Sequence, residues 1–403
     1  MKKLISKGLV SVMVCSFLFS MTACLGQTGN SVEPESTQSE AAIESVVSSE
    51  EEDSTLKEPE TLEEVTMNVA ENVVLANQQA RVFRQIGRTF ISEDNSKTLR
   101  CDFTCTGVAF NAICKGDVNV KFWTTGDCYF TVYIDGVRVK DRLFVSGDDS
   151  NSFIKVASFD TYGQREIRLV KQSQYPFAYC GISDVQILGS FGKRPKQKER
   201  FIEFYGDSIL NGSNIYTGGT SVHSTDGTYA FGYQTALALN ADCNIIGRGG
   251  MGLYNKDSST EGMNQVWNLT SSSKAPGVQE YTWDRMPDVV VVELGCNDIL
   301  SSYYTDNRYK ESIGVMIDNI RSAYGNDIKI VWCYGFNEQM DEKWDMVKAT
   351  LDSMNPDGTI YYCDLPKAGL PKTDGGDGLH PNVEMSTEMA TVLTQFIEEN
   401  IYQ

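Results

Sequence analysis

A serine that directly follows a strand-like run is the first residue with the setting of a nucleophile. Residues 201–205 predict a strand, and residues 206–208 read Gly-Asp-Ser directly after it. A glycine-assisted turn between a strand and a helix exposes a serine hydroxyl above the carboxyl ends of the strands and leaves free backbone N–H groups beside it. Alone, Gly-Asp-Ser is more typical of a capped helix start. Ser208 is therefore a candidate nucleophile for acyl chemistry that needs partners elsewhere in the chain.

Two histidines are available as the general base that such a serine needs. His223 lies in a polar stretch, which is typical of a surface loop or a substrate contact. His380 has Asp377 three residues before it. A positioned carboxylate fixes the tautomer of an imidazole and stabilises its charged form. We therefore predict that His380 is the base and that Asp377 orients it.

Donors for an oxyanion follow two further apolar runs. Residues 247–252 read Gly-Arg-Gly-Gly-Met-Gly, and glycine lets a backbone N–H approach a ligand closely. Asn297 comes shortly after the all-valine residues 289–292, and an amide at the carboxyl end of a strand suits an oxyanion. Ordinary turn chemistry is the competing interpretation at both places. The candidates are Asn297 and a glycine of residues 247–252, and which glycine donates stays open at this point.

Alternating strand and helix patterns after residue 200 would hold these groups together. Strands are predicted at residues 201–205, 289–294, 328–332 and 360–363, and helices at residues 229–239, 309–324 and 383–401. The valine run is apolar on both faces, as a central parallel strand must be. The pattern predicts a three-layer α/β domain with a parallel sheet at residues 198–403.

Residues 65–192 have a different pattern of short alternating runs between turn formers. The runs lie at residues 118–123, 129–134, 153–156 and 167–170, with turns expected at residues 135–136, 146–149 and 162–163. This spacing predicts a β-sandwich of the jelly-roll type. A short polar linker is expected at residues 193–198.

The first residues carry a signal for export rather than a fold. Lysines precede an apolar run, and residues 21–24 read Met-Thr-Ala-Cys. This pattern resembles a bacterial lipoprotein signal, which implies cleavage before Cys24 and lipid attachment to its thiol. An ordinary secretory signal is the alternative. Residues 25–64 are rich in Ser, Thr, Glu, Gln and Pro and predict a disordered acidic tether. We expect an exported protein that is anchored to the membrane at the cell surface, or secreted if no lipid is attached.

Composition excludes some classes of partner. The formal net charge of −19 and the lack of a basic cluster argue against nucleic-acid binding. The 11 cysteines show no spacing typical of zinc ligands, so we expect neither a metal nor a cofactor. Cys243, Cys296, Cys333 and Cys363 are expected to be buried small hydrophobes. Disulfide pairing among the cysteines of residues 101–180 stays open at this point.

The segments around Ser208, residues 247–252, Asn297 and His380 resemble, in this order, the signature of the SGNH hydrolases, also called GDSL hydrolases. The resemblance implies that Ser208 attacks, that His380 takes its proton and that Asp377 orients the imidazole. It also implies an oxyanion hole made of the Ser208 N–H, a glycine N–H and the Asn297 amide.

By position, the resemblance assigns the glycine of the oxyanion hole to Gly250, with Gly249 as the alternative. Members of this class often have a serine before this glycine, where the present chain has Gly249. The roles of Ser208, Gly250 and Asn297 as oxyanion donors are therefore expectations from the resemblance.

The whole folded region is similar to carbohydrate esterase family 2, whose members place a small jelly-roll domain before the SGNH domain. Residues 133–136, 168–171, 200–209 and 252–255 carry this similarity. It implies a serine esterase that removes O-acetyl groups from a plant cell-wall polysaccharide such as xylan or glucomannan, through an acyl-enzyme intermediate. Family members often carry an aromatic residue beside the catalytic histidine, whereas this chain has Leu379.

Two other functions stay open from the sequence. An SGNH lipase or lysophospholipase acting near the membrane would need a broad apolar groove for an acyl chain. A non-catalytic surface lipoprotein that binds glycan would not need the set Ser208, Asn297 and His380. Which polysaccharide and which hydroxyl are involved is also open.

Four aromatic residues are candidates for a platform on which a sugar ring stacks. They are Trp332, Tyr334, Phe336 and Trp344. Residues of this kind are more often part of a hydrophobic core.

Overall fold

The structure, a computed structural model, describes residues 70–403 apart from residues 75–80, 93–97, 176, 217–218, 220, 255–260, 335–337 and 367–378. The chain divides into two compact units, Met1–Glu63 and Glu64–Gln403, and all described residues belong to the second. The predicted signal with Cys24, the predicted tether and Asp377 lie outside the described residues.

An antiparallel sheet occupies the first part of the second unit. Its strands are β1 (Ala70–Val74), β2 (Phe83–Ile86), β3 (Phe90–Ile91), β4 (Leu99–Arg100), β5 (Gly107–Thr124), β6 (Cys128–Ile134), β7 (Val137–Val145), β8 (Phe153–Lys171) and β9 (Cys180–Phe191). Their spatial order is β3-β4-β9-β5-β8-β6-β7, with β1 paired to β9 and β2 to β5. The strand pairings form one antiparallel sheet, and the predicted jelly-roll sandwich stays a prediction.

The hairpin between β6 and β7 has the turn that its sequence predicts. Asp135 and Gly136 have positive φ angles of 49° and 83°. A two-residue type I′ turn requires positive φ at both positions, and its twist matches that of the flanking strands. The Asp-Gly pair in the sequence was therefore sufficient to predict the turn between β6 and β7.

The turn predicted at residues 162–163 is wrong. Residues 153–156 and 167–170 belong to one strand, β8, which pairs with β5 over most of its length. The pairing register shifts between Cys114 and Gly116 of β5. The irregularity is therefore a bulge within a long strand, because glycine inside a strand marks a bulge as well as a turn.

The second half of the unit contains a five-stranded parallel sheet. Its strands are β10 (Arg200–Gly206), β11 (Ala241–Gly247), β12 (Val289–Glu293), β13 (Lys329–Cys333) and β14 (Ile360–Cys363), in the spatial order β11-β10-β12-β13-β14. All these pairs are parallel. The prediction of an α/β domain with a parallel sheet is therefore confirmed, although β11 was not among the predicted strands. The domain boundaries drawn from the sequence stay predictions.

Helices cover both faces of the parallel sheet. They are α1 (Phe231–Ala238), α2 (Met263–Val266), α3 (Cys296–Ile299), α4 (Asp306–Tyr324), α5 (Glu338–Ser353) and α6 (Val383–Asn400). α1 and α6 share one hydrophobic cluster with the sheet, and α4 and α5 share another. Val331 of β13 belongs to the first cluster, whereas its neighbours Ile330 and Trp332 belong to the second. Because side chains alternate along a strand, the two clusters lie on opposite faces and give three layers.

The aromatic residues considered for a sugar platform are core residues where the structure describes them. Trp332, Tyr334 and Trp344 expose 0%, 1% and 6% of their surface. The platform hypothesis is therefore wrong for these three. Phe336 lies outside the described residues. In the described part of the chain, no helix combines the length and apolar character needed to cross a membrane.

The described cysteines are buried free thiols. This agrees with the expectation that Cys243, Cys296, Cys333 and Cys363 act as small hydrophobes. Near the antiparallel sheet, the Sγ atoms of Cys128 and Cys180 lie 3.4 Å apart. A disulfide bond is about 2.05 Å long, so this pair is in contact and not bonded.

A buried ion pair joins the two sheets. Arg88 lies between β2 and β3, Glu203 lies in the middle of β10, and neither side chain is exposed. Arg88 Nη2 donates to Glu203 Oε1 and, at 2.9 Å, to Tyr205 Oη. Arg88 Nη1 donates to the carbonyl oxygens of Trp267 and Leu269. The Arg88 guanidinium therefore donates hydrogen bonds to several acceptor atoms of the α/β region.

The Glu203 carboxylate accepts further hydrogen bonds from the α/β region. Glu203 accepts from Tyr324 Oη at 2.7 Å and from Asn244 Nδ2 at 3.0 Å. The ring of Tyr281 lies 4.7 Å below the Arg88 guanidinium carbon, at a cation–π distance. Burial opposes the charge on Arg88, but Glu203 and the surrounding tyrosines together outweigh burial, and the pKa of the guanidinium is raised. Both charges are therefore held together in the interior.

We predict that Arg88→Met lowers the free energy of unfolding by about 3 to 5 kcal/mol, because it leaves the Glu203 carboxylate buried without its counter-charge. Urea unfolding followed by circular dichroism measures the loss. Adding Glu203→Gln to this variant removes the unpaired charge and should recover part of the loss. Lys155→Met, in an exposed ion pair with Asp117, should leave the midpoint unchanged. An Arg88→Met midpoint equal to that of the wild type would show that the pair contributes nothing.

Candidate active site

Loops from three adjacent strands meet at one edge of the parallel sheet. Gly247, Gly206 and Glu293 form the last matched row of β11, β10 and β12. Ser208 follows β10, the glycine-rich loop follows β11, and Asn297 follows β12. After β10 the chain forms β11 on one side and then β12 on the other, and open α/β sheets bind ligands at such a switch point. The predicted segments are thus brought together by the strand register.

The turn that carries Ser208 is too tight for a side chain at its start. A Cβ atom on Gly206 would lie 2.6 Å from Leu210 Cβ, closer than packed carbon atoms approach. Asp207 Oδ1 then accepts from the Ile209 N–H at 2.9 Å, which begins a helical turn. Asp207 is buried, whereas Ser208 is partly exposed. The serine hydroxyl is therefore accessible at the end of the strand.

His380 contacts the serine across a long stretch of sequence. Its Nε2 lies 2.9 Å from Ser208 Oγ, a hydrogen-bond distance. The histidine immediately precedes α6, whose start is capped by Asn382 Oδ1 accepting from the Met385 N–H at 2.9 Å. α6 is in turn packed on the sheet. This arrangement gives the serine a neighbouring base, as proton abstraction requires.

The other ring nitrogen of His380 faces an amide that the sequence did not suggest. Asn214 Nδ2 lies 3.4 Å from His380 Nδ1. Asn214 is 2% exposed, has a positive φ of 55°, and its Oδ1 accepts from Ser224 Oγ at 3.3 Å. Asparagine tolerates the left-handed region better than most residues, which is the only signal its sequence carries. Asp377, the predicted partner of this nitrogen, lies outside the described residues.

His223 lies elsewhere, as the surface-loop interpretation predicts. It is exposed, and its Nδ1 lies 2.9 Å from Tyr129 Oη of β6. Its carbonyl oxygen accepts from Arg142 Nη1 at 2.7 Å. These contacts hold the loop against the antiparallel sheet.

The Asn297 amide is held beside the nucleophile turn. Its Nδ2 donates to Asp207 Oδ2 at 2.9 Å and to the carbonyl oxygen of Met251 at 3.1 Å. Asp207 thus connects the turn of Ser208 to this amide, a role that the sequence did not indicate. Asn297 is partly exposed, so a ligand can approach it.

The two candidate glycines differ in their surroundings. The Gly249 N–H donates to Gln174 Oε1 at 2.8 Å. A Cβ on Gly249 would lie 3.9 Å from Ser208 Cβ, which places this loop next to the nucleophile. Gly250 is exposed, with a φ of 75° and open space where a Cβ would be. In this loop the Gly249 N–H is therefore already hydrogen-bonded, whereas Gly250 is exposed.

Buried acidic groups lie beneath the site. Asp207, Glu293 and Cys296 bring potential metal-ligand atoms within 4.8 Å of one another. Burial raises the pKa of Asp207, with opposing effects from the Ile209 N–H and His380. Burial also raises the pKa of the Cys296 thiol, and metals bind the thiolate rather than the thiol. Burial thus disfavours the charged forms of Asp207 and Cys296 that would bind a metal ion.

One cavity among the described residues lies away from this edge of the sheet. A cavity of about 420 Å³ is lined by Phe90 and Gly87 of the antiparallel region and by Phe201, Asn244 and Tyr281. Phe201 is near the start of β10, whereas Ser208 follows its end. Exposed apolar side chains that are close to His380 or Asn297 in the chain are Leu379, Leu300 and Tyr303, which expose 67%, 47% and 56% of their surface.

Residues 202–393 match the family described as GDSL-like Lipase/Acylhydrolase. The resemblance to the SGNH, or GDSL, hydrolases is therefore confirmed for the part of the chain that carries Ser208, Asn297 and His380. The Cellulase/esterase CelE of Acetivibrio thermocellus is 26% identical over 333 residues, which cover 78% of this chain and 39% of that protein. This chain thus spans about two fifths of the length of that relative.

Solved structures with a similar fold include family two carbohydrate esterases. One from Cellvibrio japonicus is 16% identical, with a TM-score of 0.71 over 82% of this chain and 98% of its own. One from Clostridium thermocellum, in complex with cellohexaose, is 23% identical, with a TM-score of 0.66 over 79% and 99%. An acetyl xylan esterase from Butyrivibrio proteoclasticus is 18% identical, with a TM-score of 0.69 over 83% and 99%. At these identities the likeness shows a shared fold.

The pH dependence of stability should reflect Asp298, which is buried beside Asn297. Its carboxyl group accepts from the N–H groups of Leu253 at 2.9 Å and Tyr254 at 3.2 Å, but burial raises its pKa to about 7. The unfolded value is about 4, so between these values the folded protein binds more protons than the unfolded chain. We predict that this contribution, up to about 4 kcal/mol, is full below pH 4 and is lost as the pH rises through 7.

The comparison is with Asp298→Asn, which keeps an acceptor oxygen but cannot titrate. Urea unfolding of both proteins from pH 4 to pH 8 should give a shallower fall of stability for the variant. Equal slopes in the two proteins would contradict a raised pKa at this residue.

Proposed function

We propose that this protein, whose residues 202–393 form a GDSL-like lipase/acylhydrolase domain, is a carbohydrate esterase that removes O-acetyl groups from a plant cell-wall polysaccharide such as xylan or glucomannan. The 2.9 Å contact between His380 Nε2 and Ser208 Oγ carries the proposal. The family match and the carbohydrate esterases among its relatives and structural neighbours support a carboxylic ester hydrolase with a carbohydrate substrate.

The contact between serine and histidine suits a two-step acyl transfer. In the first step Ser208 Oγ attacks the acetyl carbonyl carbon while His380 Nε2 takes the hydroxyl proton. The imidazolium then returns this proton to the sugar oxygen, the ester bond breaks, and an acetyl-serine forms. In the second step a water molecule attacks that ester with His380 again as the base, and acetate and free Ser208 are released.

Three donors are proposed for the oxyanion that forms in each step: the Ser208 N–H, the Gly250 N–H and the Asn297 amide. The Gly249 N–H is engaged by Gln174, which supports Gly250 as the glycine donor. The Asn297 amide already donates to two acceptors, of which the Met251 oxygen is the more distant. The oxyanion would replace that weaker contact, so the interaction grows in the transition state.

Asp377 is proposed as the third member of the site. Its carboxylate would accept from the His380 Nδ1–H, select the tautomer whose Nε2 is free to accept, and stabilise the imidazolium. The alternative is a Ser208 and His380 dyad in which a backbone carbonyl orients the ring. In both alternatives the Asn214 amide lies on the Nδ1 side of the imidazole, with Asn214 Nδ2 3.4 Å from His380 Nδ1.

Exposed apolar side chains close to His380 and Asn297 in the sequence suit a sugar better than a fatty acyl chain. Leu379, Leu300 and Tyr303 are largely open to solvent. The apolar face of a pyranose stacks on an exposed aromatic ring such as that of Tyr303, whereas a long acyl chain is stabilised by an enclosed groove. This observation supports the acetyl polysaccharide proposal over the lipase alternative.

The proposal predicts that Ser208→Ala lowers turnover at least about 1000-fold without changing the fold, because the hydroxyl is the nucleophile. His380→Ala should lose a similar factor. His223→Ala is the matched control and should stay within a few-fold of the wild type, because it removes the exposed histidine. The measurement is acetate release from acetylated xylan, acetylated glucomannan and p-nitrophenyl acetate, with circular dichroism to establish folding.

The Asp377→Asn variant distinguishes a Ser208–His380–Asp377 triad from a Ser208–His380 dyad. Its turnover should fall strongly if the site is a triad and should change little if the site is a dyad.

Other outcomes of the same assay would contradict the proposal. Near-wild-type turnover in pure Ser208→Ala would exclude this nucleophile. A preference for long-chain p-nitrophenyl esters or lysophospholipid over acetyl esters would make the protein a lipase. Binding to glycan without any ester hydrolysis would make it a non-catalytic glycan-binding protein.

A lipid anchor at Cys24 is the proposed basis of localisation at the cell surface. The pattern of residues 21–24 supports it. We predict that Cys24→Ala abolishes incorporation of a labelled fatty acid and moves the protein from the membrane fraction to the soluble fraction. Cys15→Ala, in the apolar run before the cleavage site, should leave both unchanged. Unchanged labelling of Cys24→Ala would leave an ordinary export signal.

A further inference from the structure

A buried glutamine that follows the antiparallel strand β8 reaches the proposed oxyanion hole. Gln174 is 2% exposed. Its Oε1 accepts from the Gly249 N–H at 2.8 Å and also from Asn211 Nδ2. Gly249 belongs to the loop after β11, and Asn211 to the turn that carries Ser208. One oxygen atom therefore joins the two loops that frame the nucleophile.

Gln174 also fills the space beside Gly249. A Cβ atom on Gly249 would lie 3.1 Å from Gln174 Nε2, which is tighter than ordinary van der Waals contact. The same Cβ would lie 3.9 Å from Ser208 Cβ. Members of the SGNH class often carry a serine at this position. A serine at this position would therefore push the Gln174 amide aside by a few tenths of an ångström.

The segment that carries Gln174 is fixed on both sides. On one side, the Gln172 N–H donates to the Tyr129 carbonyl oxygen at 2.9 Å, and the Gln172 carbonyl oxygen accepts from the Gly227 N–H at 2.8 Å. On the other side, the Tyr175 N–H donates to the Asp102 carbonyl oxygen at 3.0 Å. The glutamine therefore extends from a backbone that is held in place before any substrate binds.

We infer that Gln174 is a positioning residue for the esterase reaction. By accepting from the Gly249 N–H it fixes the loop so that the next N–H, that of Gly250, is left for the oxyanion. Through Asn211 it fixes this loop relative to Ser208. A donor set before the reaction costs no reorganisation in the transition state, which is the source of its effect on rate. The inference rests on the proposed function, and it gives the antiparallel region a part in catalysis.

The test is Gln174→Met, which keeps the length of the side chain and removes the acceptor. The expected result is a fall in kcat of about 10- to 100-fold for p-nitrophenyl acetate, with KM and the pH dependence of kcat unchanged. Gln172→Met is the matched control, since this buried glutamine in the same segment contacts Thr131 and the Asp141 carbonyl oxygen instead of the site. It should lower the unfolding midpoint while the kcat of the folded enzyme stays within about twofold.

A second pair of variants tests the same contact if Gln174→Met fails to fold. Gly249→Ser should lower kcat in the wild type, because its Cβ displaces the glutamine amide. In a Gln174→Ala background the room is free, so the added serine should cost much less. This non-additivity is what two residues in contact produce. Additive losses in kcat would overturn the inference.

The outcomes separate the inference from the function on which it rests. If Ser208→Ala keeps its turnover, the proposed function fails and Gln174 has no reaction to position. If Ser208→Ala is inactive while Gln174→Met keeps the wild-type kcat, the inference alone is wrong. A lower unfolding midpoint of Gln174→Met with normal kcat in the folded enzyme would likewise make the residue merely structural.

Discussion

The buried pairing of Arg88 with Glu203 constrains the rest of the molecule. Neither charge has access to water, so separating them would leave at least one without compensation. Glu203 sits in β10, the strand that leads to Ser208, whereas Arg88 comes from the antiparallel region. The ion pair therefore favours a packing of the two sheets in which both charges are compensated. The contact that brings Gln174 to the loop after β11 depends on this arrangement.

Much of the α/β region could be predicted because its signals are local. The valine run before Asn297 is apolar on both faces, which only a central parallel strand explains. Ser208 and His380 stand at turns next to regular elements, and histidine is rare in this chain. The parallel sheet brings the segments that follow its strands together, because the carboxyl ends of parallel strands meet at one edge of the sheet. The contact between serine and histidine was an expectation from the resemblance to the SGNH hydrolases, and the packing of α6 on the sheet brings His380 to Ser208.

Other features depend on contacts between distant residues and left no local signal. Gln174 and Asn214 lie outside the motif segments, and only packing places their amides near the site. The sequence allowed the Trp332 side chain to face either solvent or the core, and the strand register places it in the core. Gly163 looked like a turn because the sequence does not reveal that β5 continues opposite it. In each case tertiary pairing determined what the residue type left open.

The hydrogen bonds of Gln174 with Gly249 and Asn211 make the active-site loops of the α/β region depend on the antiparallel region. A recombination event that exchanged the antiparallel region for another sheet would carry over Ser208 and His380 intact. It would discard the amide oxygen that ties the Gly249 loop to the turn of the nucleophile. The new chimera would inherit the reacting groups without their alignment. The two halves of the folded chain are therefore expected to be inherited together, and to change together at their common boundary.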